Sequence, residues 1–236
     1  MSNDTAPLPD WERVLSSAAH LQRVLPSAVL VGGTTAAIHA AHRRPRDADH
    51  VPTDPRERFD AVLAALESVA GWTTARVQRP VQILDSLDGI ETGVRQLIRA
   101  APLETTVAEI DGARITIPTA NEMLRIKAVL ILKRNAVRDY LDFVAMADHL
   151  GDEAAAAALQ SFDALYRTDH GESPLQQLQV QLAHAMPYDL EGTDLGEYRR
   201  LDPRWRDWTT VQAACARWAT TLFDRACERI QPRPQP

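Results

Sequence analysis

No stretch of this 236-residue chain approaches the roughly 20 consecutive apolar residues that a membrane-spanning helix needs, so no membrane span is expected. The opening segment, MSNDTAPLPDWERV, is acidic and polar, and reads as something other than a secretory signal. Cysteine is scarce, with only Cys215 and Cys227. Both fall on what reads as one helix, about 18 Å apart at ~1.5 Å per residue, too far to bridge each other. A disulfide framework is excluded and a reducing, cytoplasmic compartment is expected. An excess of positive charge is missing too. The chain has 26 basic and 32 acidic residues, a formal charge of −6, so any contact with phosphates must come from a local patch. Aromatics make up 6% and leave few stacking platforms. Trp205 and Trp208, beside Arg204 and Arg206, could form one or could simply anchor a connector. Lysine is nearly absent, since Lys127 and Lys133 are the only two among the 26 basic residues.

What remains is the balance of an ordinary globular protein, 45% apolar and 25% charged, long enough to bury a core without staples. Apolar positions recur at helical spacing from Trp11 to Leu25. Ala28 to Val31 reads as a short buried strand that runs into Gly32-Gly33 and a helix of small residues. A second strand is expected around Asp47 to Val51, then a helix beginning at Pro55 and closed by Gly71. Trp72 to Gln78 and Val81 to Asp85 read as strands with Arg79-Pro80 as the turn, and GVRQLIRA (93–100) as a brief helix. LETTVAEI and ARITIP flank Asp111-Gly112, a hairpin signal because that pair supplies positive φ. From Thr119 onward the pattern is helical, opened by Thr119 and Glu122 at capping-box spacing, with EAAAAALQSFDALYR (153–167), PLQQLQVQLAHAM (174–186) and the long TTVQAACARWATTLFDRACERI among its later members. The tail QPRPQP reads as disordered. The order of elements gives an α+β fold: an α/β part with its N-terminal helix over residues 1–118, a helical part over 119–231 and a tail over 232–236.

The segment that carries chemistry is VLVGGTTAAIHAAHRRPRDADHV (29–51). A strand ends on Gly32 and Gly33 and a helix opens at Thr34. Helix N-termini present unpaired amides and the positive end of the dipole, and glycine lets a phosphate approach the backbone. Fourteen residues past Gly33 come Asp47 and then Asp49. On a strand, i and i+2 face one side, so both carboxylates could chelate a hard divalent cation that in turn holds nucleotide phosphates. Each part has a plainer use. A glycine pair after a strand also permits tight helix-on-sheet packing, and Asp-x-Asp is common on acidic surfaces. A dinucleotide fold is disfavoured because the spaced glycines of G-x-G-x-x-G are missing. His50 reads either as a strand-face imidazole with no chemical role or as an extra phosphate contact.

The pattern G-G-x13-D-x-D after a strand resembles the signature of the nucleotidyltransferase superfamily, whose members include DNA polymerase β and the aminoglycoside nucleotidyltransferases. LRIKAVLILKRNAVRDYLDF (124–143) and VQILDSLDGIETGVRQLIR (81–99) resemble its AbiEii/AbiGii toxin branch, in which a Lys-bearing helix leads to an R-D-x-x-D segment. The resemblance covers roughly residues 28 to 150. It implies a small mixed β-sheet nucleotidyltransferase core followed by an all-helical region. It also implies transfer of a nucleoside monophosphate from an NTP, with Mg²⁺ on Asp47 and Asp49 and with Asp85 as candidate third metal carboxylate, Gln82 standing where an acid would be expected. Gly32, Gly33 and Thr34 would contact the phosphates. Lys127 would stabilise triphosphate charge, and Asp139 or Asp142 would orient it. Gly33 stands where the superfamily motif usually has serine.

At 100° per residue, Lys127, Arg134 and Arg138 fall within about 40° of one another, and Asp142 lies about 60° from Lys127, a cationic stripe if the helix is continuous. The biology implied is the toxin of a type IV toxin–antitoxin or phage-defence pair, with tRNA or another RNA as acceptor and a cognate antitoxin as partner. An RNA acceptor would want a basic groove, for which Arg43, Arg44, Arg46, Arg95, Arg99, Arg134 and Arg138 are candidates. The alternatives are a catalytically weakened module that binds a nucleotide or a protein, or a small-molecule nucleotidyltransferase of the aminoglycoside kind.

Overall fold

The computed structural model describes residues 11–52, 59–97, 99, 101–110, 112–167 and 171–230. The expectations for Pro55, Asp111 and the tail from 232 lie outside these residues. The chain divides into two compact units, one of residues 1–38 and 44–119 and the other of residues 39–43 and 120–236.

The first unit is built on a five-stranded sheet. Its elements are α1 (Trp11–Val24), β1 (Ala28–Leu30), α2 (Gly32–Ala40, its last two residues grouping with the second unit), β2 (Ala48–Pro52) and α3 (Phe59–Glu67). They continue with β3 (Trp72–Gln78), β4 (Gln82–Leu87), β5 (Ile90–Arg95), β6 (Thr105–Ile110) and β7 (Ala113–Pro118). The sheet order is β1-β2-β5-β4-β3, and β6 and β7 form a separate hairpin. Among the described residues, β2 and β5 pair in parallel and the other neighbours pair antiparallel. The resulting architecture is mixed α+β.

α1 forms because Val14, Ala18 and Leu21 recur on one helical face, and that face is buried. Val14, Leu15, Ala18 and Ala19 pack with Leu30, Ala48, Ile90, Ile115 and Ile117. Leu21 packs with Ala28, Phe59, Leu66, Ile83, Leu87 and Val94. The Ser17 hydroxyl donates to the Leu87 carbonyl at 3.1 Å, fixing the helix along the sheet.

One expected element is corrected. The segment read as a helix from Gly93 is the end of strand β5. Asp88 and Gly89 have φ of +56° and +76°, the paired positive values of a two-residue hairpin turn. That turn joins β4 to β5 in continuous register from Leu87↔Ile90 to Gln82↔Arg95. β5 is thus the strand that links β2 to the rest of the sheet.

The second unit, apart from residues 39–43, holds α4 (Ala120–Arg134), α5 (Val137–Leu150), α6 (Asp152–Leu159), α7 (Phe162–Tyr166), α8 (Pro174–Ala183) and α9 (Trp208–Ile230). Two short 3₁₀ turns, Leu195–Glu197 and Pro203–Trp205, precede α9. The expected continuous stripe from Lys127 to Arg138 is also corrected, because the helix breaks at Asn135, which has φ +48°. The Asn135 side chain serves the break. Its amide donates to the Met186 carbonyl at 3.0 Å, and its oxygen accepts from Tyr140 Oη at 2.6 Å and Gln181 Nε2 at 2.8 Å. The run read as one helix from Glu153 likewise splits into α6 and α7. Cys215 and Cys227 are free thiols. Among the described residues, no helix is long and apolar enough to cross a membrane.

Candidate functional site

In the first unit, β1 delivers the chain to Gly32, which takes φ +79° as α2 begins. A side chain at that angle would be strained. Backbone pairing sets what lies beside it, because the Val31 amide donates to the Asp49 carbonyl at 2.8 Å. A Cβ on Gly32 would stand 3.4 Å from Asp49 Cβ and 3.5 Å from Asp49 Oδ2. Across the parallel pair, Asp49 is level with Gly93, where a Cβ would come within 2.4 Å of Asp49 Oδ1. The Asp49 carboxylate therefore occupies space that two glycines leave open, beside the first turn of α2. It is partly exposed, at 22%.

Ala48 and His50 alternate with Asp49 along β2 and point to the other side of the sheet. Ala48 belongs to the α1 core. His50 is fully buried, its Nδ1 donating to the Ala48 carbonyl at 3.0 Å. Burial pushes its imidazole down to about 4. It is a neutral core residue.

Asp47 lies two residues before Asp49, just ahead of β2. Its carbonyl accepts from the Thr34 hydroxyl at 2.6 Å. Thr34 is itself buried, so this hydroxyl ties α2 to the start of β2. On β4, Gln82, Leu84 and Ser86 fall in the row of Asp49 and Gly93, while the Asp85 backbone is level with Thr92 and Ala48, one residue out of that row. Arg95 joins the site from β5. Its Nε lies 3.3 Å from Asp49 Oδ1 and its Nη1 donates to Gln82 Oε1 at 3.0 Å.

Carboxylates such as those of Asp47 and Asp49 are the hard oxygen donors that Mg²⁺ takes beside its retained waters. Among the described residues, no three His, Cys, Asp or Glu side chains group closely enough to hold a metal by themselves.

The second unit holds Lys127, Arg134, Asp139 and Asp142 together, with His42 and Arg43 added. Asp142 has no exposed surface. Its Oδ1 accepts from His42 Nε2 at 2.7 Å and Arg43 Nε at 2.7 Å, and its Oδ2 from Arg43 Nη2 at 2.9 Å. Lys127 Nζ lies 2.7 Å from the same Oδ2 and 3.6 Å from Asp139 Oδ1. Arg134 closes the set with two bonds to Asp139, at 3.1 and 2.8 Å. Burial alone would raise the Asp142 carboxyl, but the Arg43 and Lys127 charges and the bonds from His42 and Arg43 outweigh it and hold the group well below the usual carboxylate range. Burial lowers the His42 imidazole despite its bond to Asp142. Its Nδ1 is buried with no hydrogen-bond partner among the described residues, so His42 is neutral with the proton on Nε2.

Lys127, expected to face a triphosphate, is 1% exposed and already compensated by two carboxylates. Lys133 and Arg138 are exposed. Arg43 is committed to Asp142, and Arg99 donates to the Ala101 and Pro102 carbonyls at 3.0 and 2.8 Å, which removes both from the proposed basic groove. Trp205 is buried beneath Arg204, 4.8 Å from ring centroid to guanidinium carbon, and Trp208 packs edge-on to Tyr140. Both are anchors. Sequence reasoning missed the roles of Gly93, Arg95, His42 and Arg43. For the first two, the Asp88-Gly89 pair was the available signal.

No family model matches the chain. The chain is 30% identical over 241 residues to the heme uptake protein MmpL11 of Mycobacterium tuberculosis and to the probable transport protein MmpL11 of Mycobacterium bovis. A mycolic acid-containing lipids exporter MmpL11 of Mycolicibacterium smegmatis is 27% identical over 225 residues. The first two alignments take in 93% of this chain but 23% of the relatives, so the chain spans about a quarter of their length.

Among solved structures, one Helicobacter pylori protein designated a candidate nucleotidyltransferase superposes with a TM-score of 0.56 at 15% identity, over 97% of this chain and all of that one. JHP933, also from Helicobacter pylori, gives 0.51 at 14%, over 92% and 94%. The fold is that of nucleotidyltransferase-like proteins.

Proposed function

We propose that the protein is a nucleotidyltransferase that moves a nucleoside monophosphate from an NTP to an acceptor in a reaction dependent on Mg²⁺. The observation that carries this is the seat of Asp49, a partly exposed carboxylate set between Gly32 and Gly93 at the first turn of α2. Asp47 and Asp49 would hold the cation. When bound, Mg²⁺ neutralises triphosphate charge and lowers the pKa of the attacking hydroxyl. The first-turn amides of α2, at Gly32 and Gly33, have no intrahelical acceptor and are aligned with the dipole, so they suit phosphate oxygens. The acceptor hydroxyl attacks the α-phosphorus and loses its proton to water. The new P–O bond forms as the bond to the β-phosphate breaks, and pyrophosphate leaves. No side-chain nucleophile is required. Lys127, with Asp139 and Asp142, fixes the second unit from within.

Resemblance to the AbiEii/AbiGii branch supports RNA, tRNA above all, as the acceptor and a toxin role alongside an antitoxin. Incubation with Mg²⁺, each labelled NTP and total tRNA tests the reading. Label transfer is expected, and Asp49→Ala should abolish it. A second reading, a nucleotide-binding module without transfer activity, is favoured by the compensated charge of Lys127. Nucleotide binding with no transfer to any acceptor would decide for it.

A further inference from the structure

We propose that Arg95 takes the place of a second metal ion, so that the site binds one divalent cation per nucleotide and the guanidinium supplies the remaining positive charge. This rests on the nucleotidyltransferase reading. Sites that use two ions hold them roughly 3.5–4 Å apart and clamp the attacking and leaving oxygens together. Such a pair needs a set of carboxylates reaching both ions. Here the β4 residues facing the Asp49 row are Gln82, Leu84 and Ser86, and their side chains supply no carboxylate. Glu91 shares the pleat of Gly93 and Arg95 on β5, yet no trio of acids forms a metal-holding group among the described residues.

What stands beside Asp49 is a cation. Arg95 Nε is 3.3 Å from Asp49 Oδ1, and Gln82 Oε1 holds the other end of the guanidinium at 3.0 Å from Nη1. Gln82 and Arg95 face each other in the β4–β5 register, so the sheet itself sets this orientation. The Arg95 side chain is 42% exposed and its guanidinium keeps N–H groups for phosphate oxygens, which its planar fork binds in pairs. Asp47, Asp49 and Arg95 together carry a formal charge of −1. A fixed guanidinium restores the balance without a second ion.

Mn²⁺ titration in the presence of a non-hydrolysable NTP analogue, followed by the electron paramagnetic resonance of free Mn²⁺, tests this directly. The wild type should bind one Mn²⁺ per chain. Arg95→Glu should bind two. Arg95→Gln should still bind one while its affinity for the analogue falls about tenfold or more, the loss of a charge-assisted phosphate contact. Two Mn²⁺ ions in the wild type, or unchanged analogue affinity in Arg95→Gln, would overturn the proposal. Analogue binding that Asp49→Asn abolishes but Arg95→Gln leaves intact would overturn the role of Arg95 alone. Absence of Mn²⁺-dependent analogue binding in the wild type would overturn the nucleotidyltransferase reading as well.

Discussion

Replacing Asp142 by Asn separates a structural use of Lys127 from a catalytic one. The change keeps the shape of the side chain and removes its charge. Four donor contacts converge on this carboxylate, from His42, twice from Arg43 and from Lys127, and all the residues involved are buried or nearly so. An asparagine would turn an N–H toward donors and leave Arg43 and Lys127 inside without their main counter-charge. Removing one partner of a buried ion pair costs roughly 3–5 kcal/mol. About 4 kcal/mol is a large part of the 5–15 kcal/mol that holds a typical protein folded.

Lys127→Met is a milder change, because Asp142 keeps both Arg43 bonds and His42, and Asp139 keeps Arg134. Its cost should be about 2 kcal/mol, one charged hydrogen bond. Urea denaturation followed by circular dichroism would read both as midpoint shifts at constant slope. The folded-state carboxyl of Asp142 lies below its unfolded value of about 3.9, so its contribution is complete above that pH and is lost as pH falls through the folded value. The gap between wild type and Asp142→Asn should therefore close in acid. A loss below about 1 kcal/mol for Asp142→Asn, or equal losses for the two variants, would refute the reasoning.

Two further outcomes follow from the first unit. The His50 imidazole falls from 6.5 to about 4 on burial, so its stabilisation is complete above pH 6.5 and declines by about 3 kcal/mol as pH drops to 4. His50→Asn should flatten urea-midpoint profiles across that window, and an unchanged slope would count against a buried neutral imidazole. Gly93→Ala places a methyl within 2.4 Å of Asp49 Oδ1. It should lower Mn²⁺ affinity about tenfold by displacing one charge-bearing ligand while the far-ultraviolet circular dichroism stays unchanged; retained affinity would show that the carboxylate needs no such space.

How much of this was legible depended on the range of the information. The join of Gly32 to Asp49 could be read because it is local, a strand ending on glycines and a second strand fourteen residues on. The hairpin at Asp88-Gly89 is equally local; as a turn it places Gly93 and Arg95 on a strand instead of a helix. The break at Asn135 was visible as a poor helix former, but its cause is tertiary, since Tyr140, Gln181 and Met186 hold the residue. Helical spacing gave the direction of Lys127 and could not give its depth. The partners of Asp142 at positions 42 and 43 lie a hundred residues away in sequence, where no periodicity reaches. The split between α6 and α7 leaves no mark stronger than Gln160-Ser161.

The two sets of acids differ in what they have left to give. A carboxylate has about four lone-pair directions, and Asp142 has all of them engaged by His42, Arg43 and Lys127. Asp139 is buried and held by a guanidinium fork and by Lys127. A metal could reach either only by evicting buried cations, which would leave those charges uncompensated. Asp49 is in the opposite condition. Among the described residues its one ion-pair partner is Arg95, at the long distance of 3.3 Å, and glycines keep the space beside it open. Lys127 is balanced out of solvent by two carboxylates, whereas the Arg95 side chain is part-exposed and lightly held. Of the three acids compared, Asp49 is the one that keeps lone pairs open to a cation, which is why the proposed chemistry is placed there, beside Arg95.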